Sequence, residues 1–260
     1  MSLLWFLPVF IFIYMSAWFV VSWWLKRRDV IDIAWGAGFV FLAWITFLSF
    51  RESPLDERSV WLLLFVSLWG LRLSIHTSLR NLSQSEDWRY HDLSDSKLAK
   101  TPFFTFIRVF MFQGALMMII SLPVIYSLRL IALPLFSLNY FGILLLLIGL
   151  FVEGVADGQR FLFLSKPENK NRLMTSGLWH YSRHPNYFGE CLFWWGIYFL
   201  VFGAPKSWML IISPLIITYI LLFVSGLPME ERYRGRPDFE AYKRQTSAFI
   251  PWFPKNKKTS

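Results

Sequence analysis

The chain has 260 residues, of which 55% are hydrophobic, 20% aromatic and 17% charged, and its net charge is +9. A water-soluble domain of this length has too little interior to hide so many Phe and Trp side chains, which excludes an ordinary soluble globule. The one cysteine, Cys191, lies inside an apolar run and reads as a buried core residue, which excludes a disulfide framework and a thiolate metal site.

Taken in chain order, the apolar residues fall into blocks. Residues 1–25, 33–50, 109–128, 130–152 and 207–229 contain no Asp, Glu, Lys or Arg. Crossing the hydrocarbon core takes about 20 apolar residues. Two shorter blocks, 59–71 and 191–205, extend through flanking polar residues to a similar length. The first block has no basic residue before its apolar core and is followed by Lys26, Arg27 and Arg28, so it reads as a retained helix and not a cleaved signal. The expected fold is all-α: one integral-membrane domain over 1–260, a polytopic bundle of about seven transmembrane helices.

Charge orients that bundle. Lys and Arg number three in 26–28, five in 80–108, five in 160–183 and eight in 232–258, and Arg72 lies near the inner end of the third span. Together these are 22 of the 26 basic residues, and they fall at alternate span ends. The positive-inside rule then puts the N-terminus outside and the C-terminus in the cytoplasm, which an odd number of spans satisfies. The net positive charge reads as topology and attraction to anionic lipid, with no call for nucleic acid. The expected location is a multi-pass protein of a bacterial inner membrane, or of the endoplasmic reticulum in a eukaryote.

Ionisable residues at membrane depth mark candidate chemistry. Arg72, His76 and Arg80 recur at helical spacing on the third span, and Asp29 and Asp32 share a face at the start of the second. Glu153, Asp157 and Arg160 line the inner end of the fifth. Such stripes are expected to converge inside the bundle, or else to form a buried structural network around Arg72. The segment SEDWRYHD (85–92) adds Glu86, Arg89, Tyr90 and His91, and reads either as a solvated loop or as one docked by Trp88 and Tyr90.

The densest constellation is GLWHYSRHPNYFGE (177–190). Pro185 suits the first turn of a helix, where its missing N–H costs nothing. Asn186 and Glu190 then lie four apart on one face. Arg183 and His184 add positive charge at the helix start, so a phosphate or carboxylate is expected there. His180 and His184 are also four apart, but Pro185 breaks the helical geometry a metal pair would need, so no metal is expected. The Gly36-Ala-Gly38 sequence lacks a third glycine and lies within a span, so it is no dinucleotide fingerprint.

RHPNYFGE and the downstream EERYRGRPDFEAYKRQTSAFIPWFP (230–254) resemble the C-terminal signature of the steroid 5α-reductase superfamily. Upstream, DVIDIAWGAGF, WGLRLSIHTSLRN, SEDWRY and VEGVADGQ look like its bacterial-type branch, described as a domain of unknown function. The resemblance implies a seven-helix fold and NADPH held in a cytoplasm-facing cavity, with 177–254 as the cofactor-binding signature region. It also implies a hydrophobic, lipid-like substrate that enters from the bilayer. By matched position Asp157, Tyr181, Asn186, Glu190 and Tyr233 look like cofactor contacts, joined by His184 and Tyr187. Arg160 and Arg183 are the candidate phosphate partners, because guanidinium forks fit phosphate oxygens.

The reaction implied is reduction of a carbon–carbon double bond conjugated to a carbonyl in a steroid- or isoprenoid-like lipid, where a donor must stabilise charge on the carbonyl oxygen. Steroid-reducing members use a Glu–Tyr pair for this. It has no match here, and Asp32, His76 and Tyr90 are the nearest substitutes. The Arg-His-Pro-x-Tyr element with a later Glu-Glu pair, here Glu230 and Glu231, is similar also to integral-membrane methyltransferases that use S-adenosylmethionine on isoprenylcysteine or phospholipid. A catalytically silent sterol- or lipid-binding protein of the same fold is the third alternative.

Overall fold

The computed structural model describes residues 3–52, 55–83, 101–129, 134–169 and 171–255. Of these residues 81% are helical. Among them, the one β-type pairing is an isolated bridge between Ser182 and Ser247. They form two compact units, Met1–Leu135 with Gly203–Leu210, and Phe136–Phe202 with Ile211–Ser260.

In the first unit, α1 (Leu3–Leu25), α2 (Val30–Phe50) and α3 (Glu57–Ser83) each follow from a charge-poor run. The fourth apolar run becomes α4 (Pro102–Ile120), a turn at Ser121, and α5 (Leu122–Arg129). Pro123 has no N–H to continue the ladder, which accounts for the break. Helices α2 and α3 touch backbone to backbone: a Cβ added at Gly36 would lie 2.5 Å from the Gly70 carbonyl oxygen, and the reverse distance is the same. Above this crossing Ser74 Oγ donates to the Ile33 carbonyl at 2.9 Å.

The start of α2 and the end of α3 are locked by charge. Arg27 forks the Asp29 carboxylate at 3.0 and 2.7 Å and donates to the Asn81 carbonyl at 2.7 Å, while Asn81 Nδ2 donates to the Asp29 carbonyl at 3.0 Å. Arg80 pairs with Asp32 at 3.2 Å. At the opposite ends of α2 and α3, Asp56 binds Ser59 and Arg51. Burial pushes its carboxyl up, but those hydrogen bonds more than offset this and hold it below its usual range.

The second unit is built on α6 (Ser137–Leu164) and α7 (Pro185–Val201). Both carry glycines seven residues apart, Gly142 and Gly149 on one, Gly189 and Gly196 on the other. That spacing returns each glycine to the same face after two turns. A Cβ at Gly142 would lie 2.8 Å from Gly196 O, and one at Gly149 would lie 2.7 Å from Gly189 O. Only glycine allows this approach. Asn139, fully buried, ties the far end: its Nδ2 donates to the carbonyls of Phe199, Leu200 and Phe202 at 2.9, 3.1 and 2.9 Å, satisfying orphan acceptors at the end of α7.

The last long helix, α8 (Ser207–Tyr233), changes pitch along its length: 3-10, α, π over Ile220–Gly226, then 3-10 over Leu227–Tyr233. Pro228 cannot donate to the carbonyl four residues back, which favours the altered pitch there. A short amphipathic helix, α9 (Pro237–Gln245), follows.

Six of these helices, all but α5, α7 and α9, are long and apolar enough to cross a membrane. The seventh expected span is α7, whose 17 residues reach about 25 Å. Eleven of them are buried, so α7 is an interior helix with little lipid contact. On the long helices, large apolar side chains such as Leu48 and Phe151 are 73% and 69% exposed, the outside-apolar pattern that lipid as solvent demands. The protein is an integral, multi-pass membrane protein.

Because the glycine seam has no room for a side chain, Gly149→Leu is expected to destabilise the protein by about 3 kcal/mol, the upper range for overpacking. Phe151→Leu, two residues away on the exposed face, is expected to leave stability within about 0.5 kcal/mol. Thermal unfolding of the two variants in detergent checks the contrast.

Candidate functional site

The seam places two pairs of polar residues opposite each other. On α6, Glu153 and Asp157 are one turn apart; on α7, Asn186 and Glu190 are likewise one turn apart. Gly189 packs directly on Glu153, where an added Cβ would lie 2.5 Å from the Glu153 nitrogen. Asn186 Nδ2 donates to Asp157 Oδ1 at 3.2 Å. Glu153, Asp157 and Glu190 are all buried. The Asn186 amide oxygen is buried and accepts no hydrogen bond among the described residues. An acceptor left in that state costs about 1–3 kcal/mol unless a ligand supplies a donor.

The start of α7 is held by a clamp. Arg183 forks Glu230 through Nε at 2.8 Å and Nη2 at 3.2 Å, and its Nη1 donates to the carbonyls of Lys243 and Thr246 at 3.1 and 3.0 Å. His184 Nε2 lies 2.9 Å from Glu230 Oε1, and its ring stacks on Tyr187 with 2° between the planes. The sequence leads one to expect an anion at this positive pair. The protein provides one itself, the Glu230 carboxylate. Four of the five Arg183 N–H donors are therefore engaged within the chain, which makes Arg183 a structural fork and leaves little of it for a phosphate.

Arg160 differs. Its guanidinium lies 5.4 Å from the centre of the Trp179 ring and makes no hydrogen bond or ion pair among the described residues. Trp179 is in turn fixed by donation from Nε1 to the Ala156 carbonyl at 3.0 Å. The Arg160–Trp179 approach is a cation–π contact, which holds the charge near the ring while its N–H donors stay available. Behind the clamp, Tyr242 donates to the carbonyls of Trp179 and Ser182. Burial pushes its phenol pKa upward and keeps it a donor.

The remaining expected site residues are more dispersed. Tyr181 is half exposed and packs edge-on with His180 and Phe253. The Tyr233 ring lies against Phe239 with Arg232 and Arg236 over it, which reads as support for the α8–α9 turn. In the first unit Asp32 is engaged by Arg80, and an ion-paired carboxylate offers lone pairs where a polarised carbonyl needs a donor. His76 lies on α3 in the expected Arg72–His76–Arg80 stripe. Tyr90 is outside the described residues.

A family model described as "Protein of unknown function (DUF1295)" matches residues 18–246. The chain belongs to this family. DUF1295 is part of the steroid 5α-reductase-like superfamily, as the 177–190 and 230–254 motifs lead one to expect. No curated protein and no solved structure matches the chain.

Glu230 is the DUF1295 residue whose role the motifs alone do not reveal, because it acts across 47 positions on Arg183. Removing it would leave a buried guanidinium without its counter-ion. Glu230→Ala is expected to lower stability by about 3 kcal/mol or more, whereas Glu231→Ala, next in sequence but exposed, is expected to change it by about 0.5 kcal/mol at most. Melting curves of both variants test the clamp.

Proposed function

We propose that the protein is an NADPH-dependent oxidoreductase that reduces a carbon–carbon double bond conjugated to a carbonyl, in a steroid- or isoprenoid-like lipid drawn from the bilayer. The observation that carries the reading is the Asn186 amide, fixed on Asp157 by its nitrogen while its buried oxygen has no donor among the described residues. A carboxamide such as that of nicotinamide brings the N–H donors this oxygen needs, and Glu190, one turn further along α7, is a second acceptor. Arg160, in cation–π contact with Trp179, suits a phosphate oxygen of the same ligand. The positive-inside bias puts this end of α6 and α7 on the cytoplasmic side, where pyridine nucleotides are found.

When bound, NADPH would supply the hydride. The chain's own part is to bind and orient it: Asn186 and Asp157 through the amide pair, Glu190 through its carboxylate, Arg160 through charge. The Glu230 clamp holds the helix on which Asn186 and Glu190 stand. Reduction of an enone also needs a donor at the carbonyl oxygen. With Asp32 engaged by Arg80, His76 and Tyr90 are the candidates that carry donor groups.

The test needs no substrate at first. Protein purified in detergent is melted with NADPH, NADH or S-adenosylmethionine in excess. A ligand at about 100 times its dissociation constant adds about 2.7 kcal/mol to the folded state. Stabilisation by NADPH and not by S-adenosylmethionine is expected, followed by NADPH oxidation that depends on an added lipid enone. Stabilisation by S-adenosylmethionine alone would make the protein a methyltransferase, and no response to any of the three would leave a lipid-binding protein.

A further inference from the structure

After α9 the chain runs back as an extended strap over residues 247–255. Its backbone is bonded along the segment that precedes α7: Arg183 N–H donates to Ser247 O at 2.9 Å, Trp252 N–H donates to Tyr181 O at 3.0 Å, and Ser182 Oγ donates to Phe249 O at 2.6 Å. Lys255 N–H closes back on Gln245 O at 2.9 Å, and the Phe249 ring packs against Phe188 at 5.7 Å. The strap is thus ordered by main-chain bonds and a single inward aromatic. Its other large apolar side chains are exposed, Ile250, Trp252 and Phe253 at 61%, 70% and 78%, with only an edge contact between Phe253 and Tyr181.

Three helix ends fix the level of this patch. The C-terminal end of α6 meets the start of α7 through Trp179–Ala156 and Asn186–Asp157, and the end of α8 meets it through Glu230–Arg183. Where spans end together, the lipid headgroups begin. Trp and other amphipathic or aromatic residues favour that depth. The surrounding charge is of one sign: residues 232–258 carry eight Lys or Arg against Asp238 and Glu240. Lys243, Arg244 and Lys255 are exposed. Exposed aromatics beside a basic cluster match an anionic leaflet, which takes the rings at its acyl boundary and the cations at its headgroups.

We infer that the strap 247–255 is a membrane-interface anchor, with Ile250, Trp252 and Phe253 entering the headgroup–acyl boundary of an anionic leaflet. Through its backbone bonds it holds residues 181–183, and with them the start of α7, at the lipid surface. The anchor does not depend on which cofactor the protein takes.

Depth measurement by spin labelling tests this. A nitroxide is placed on Phe253→Cys in a Cys191→Ala background, with Asp238→Cys, on the exposed face of α9, as the aqueous reference; both labelled positions are exposed, so folding is not at stake. The protein is reconstituted into phosphatidylcholine vesicles with and without phosphatidylglycerol, and collisions with oxygen and with a neutral nickel chelate are compared. The expected result at 253 is high oxygen and low chelate access relative to 238, with lower chelate access still when phosphatidylglycerol is present. Chelate access equal to that at 238 would put the strap in water and overturn the anchor. Protection from both reagents would mean that protein covers the patch, a second copy being the obvious source, and would overturn it equally. Unchanged depth on adding phosphatidylglycerol would overturn the anionic preference.

Discussion

The second unit depends on the glycine seam between α6 and α7. In lipid, two helices gain little by hiding apolar surface from each other, so their association rests on close packing and on interhelical polar contacts. Glycines spaced by seven on both helices let the backbones touch at Gly142–Gly196 and at Gly149–Gly189. Within about two turns of this last contact stand Glu153 and Asp157 on α6 and Glu190 and Asn186 on α7. The polar group is therefore a consequence of the seam's register: side chains adjacent to a backbone contact have little freedom to move apart. Asn139 at one end of α7 and the Glu230 clamp at the other hold that register.

The clamp also settles how positive charge is distributed near the site. A buried guanidinium is costly unless paired, and Arg183 meets this demand with Glu230 and two carbonyls, while the same carboxylate binds His184. The positive charge that the motif displays is largely used to join α7, α8 and α9. What remains for an anionic ligand is Arg160, whose orientation comes from Trp179 and, through it, from the backbone of α6. Within the motif, Arg183 and His184 thus serve architecture, and the contacts proposed for a cofactor fall to Asn186 and Glu190 in the same motif and to Arg160 on α6.

Much of this was legible in the sequence, for a physical reason. Runs without charge are rare outside membranes, so α1 to α4, α6 and α8 could be located from composition. Hydropathy alone picks out only 191–205 of the interior helix, and it is Pro185 together with the four-residue spacing of Asn186 and Glu190 that carries it back to its observed start at Pro185. Those two polar residues lie inside α7 because a buried face, unlike a lipid face, accepts polar side chains that have partners. Pairings across long separations were not legible. Nothing near Glu230 shows that it meets Arg183, and nothing near Asp32 shows that Arg80, 48 residues later, engages it. The glycine spacing was present in the sequence and is the one signal that would have paired α6 with α7 in advance.

The central claim is that Asn186 receives a nicotinamide nucleotide. The most direct test is a calorimetric titration of NADPH into the detergent-purified protein and into Asn186→Leu, which keeps the approximate shape of the side chain and removes its hydrogen bonds. Saturable binding to the native protein, lost in a variant that still melts cooperatively, is the predicted result. Absence of binding to the native protein, or binding undiminished in Asn186→Leu, would contradict it.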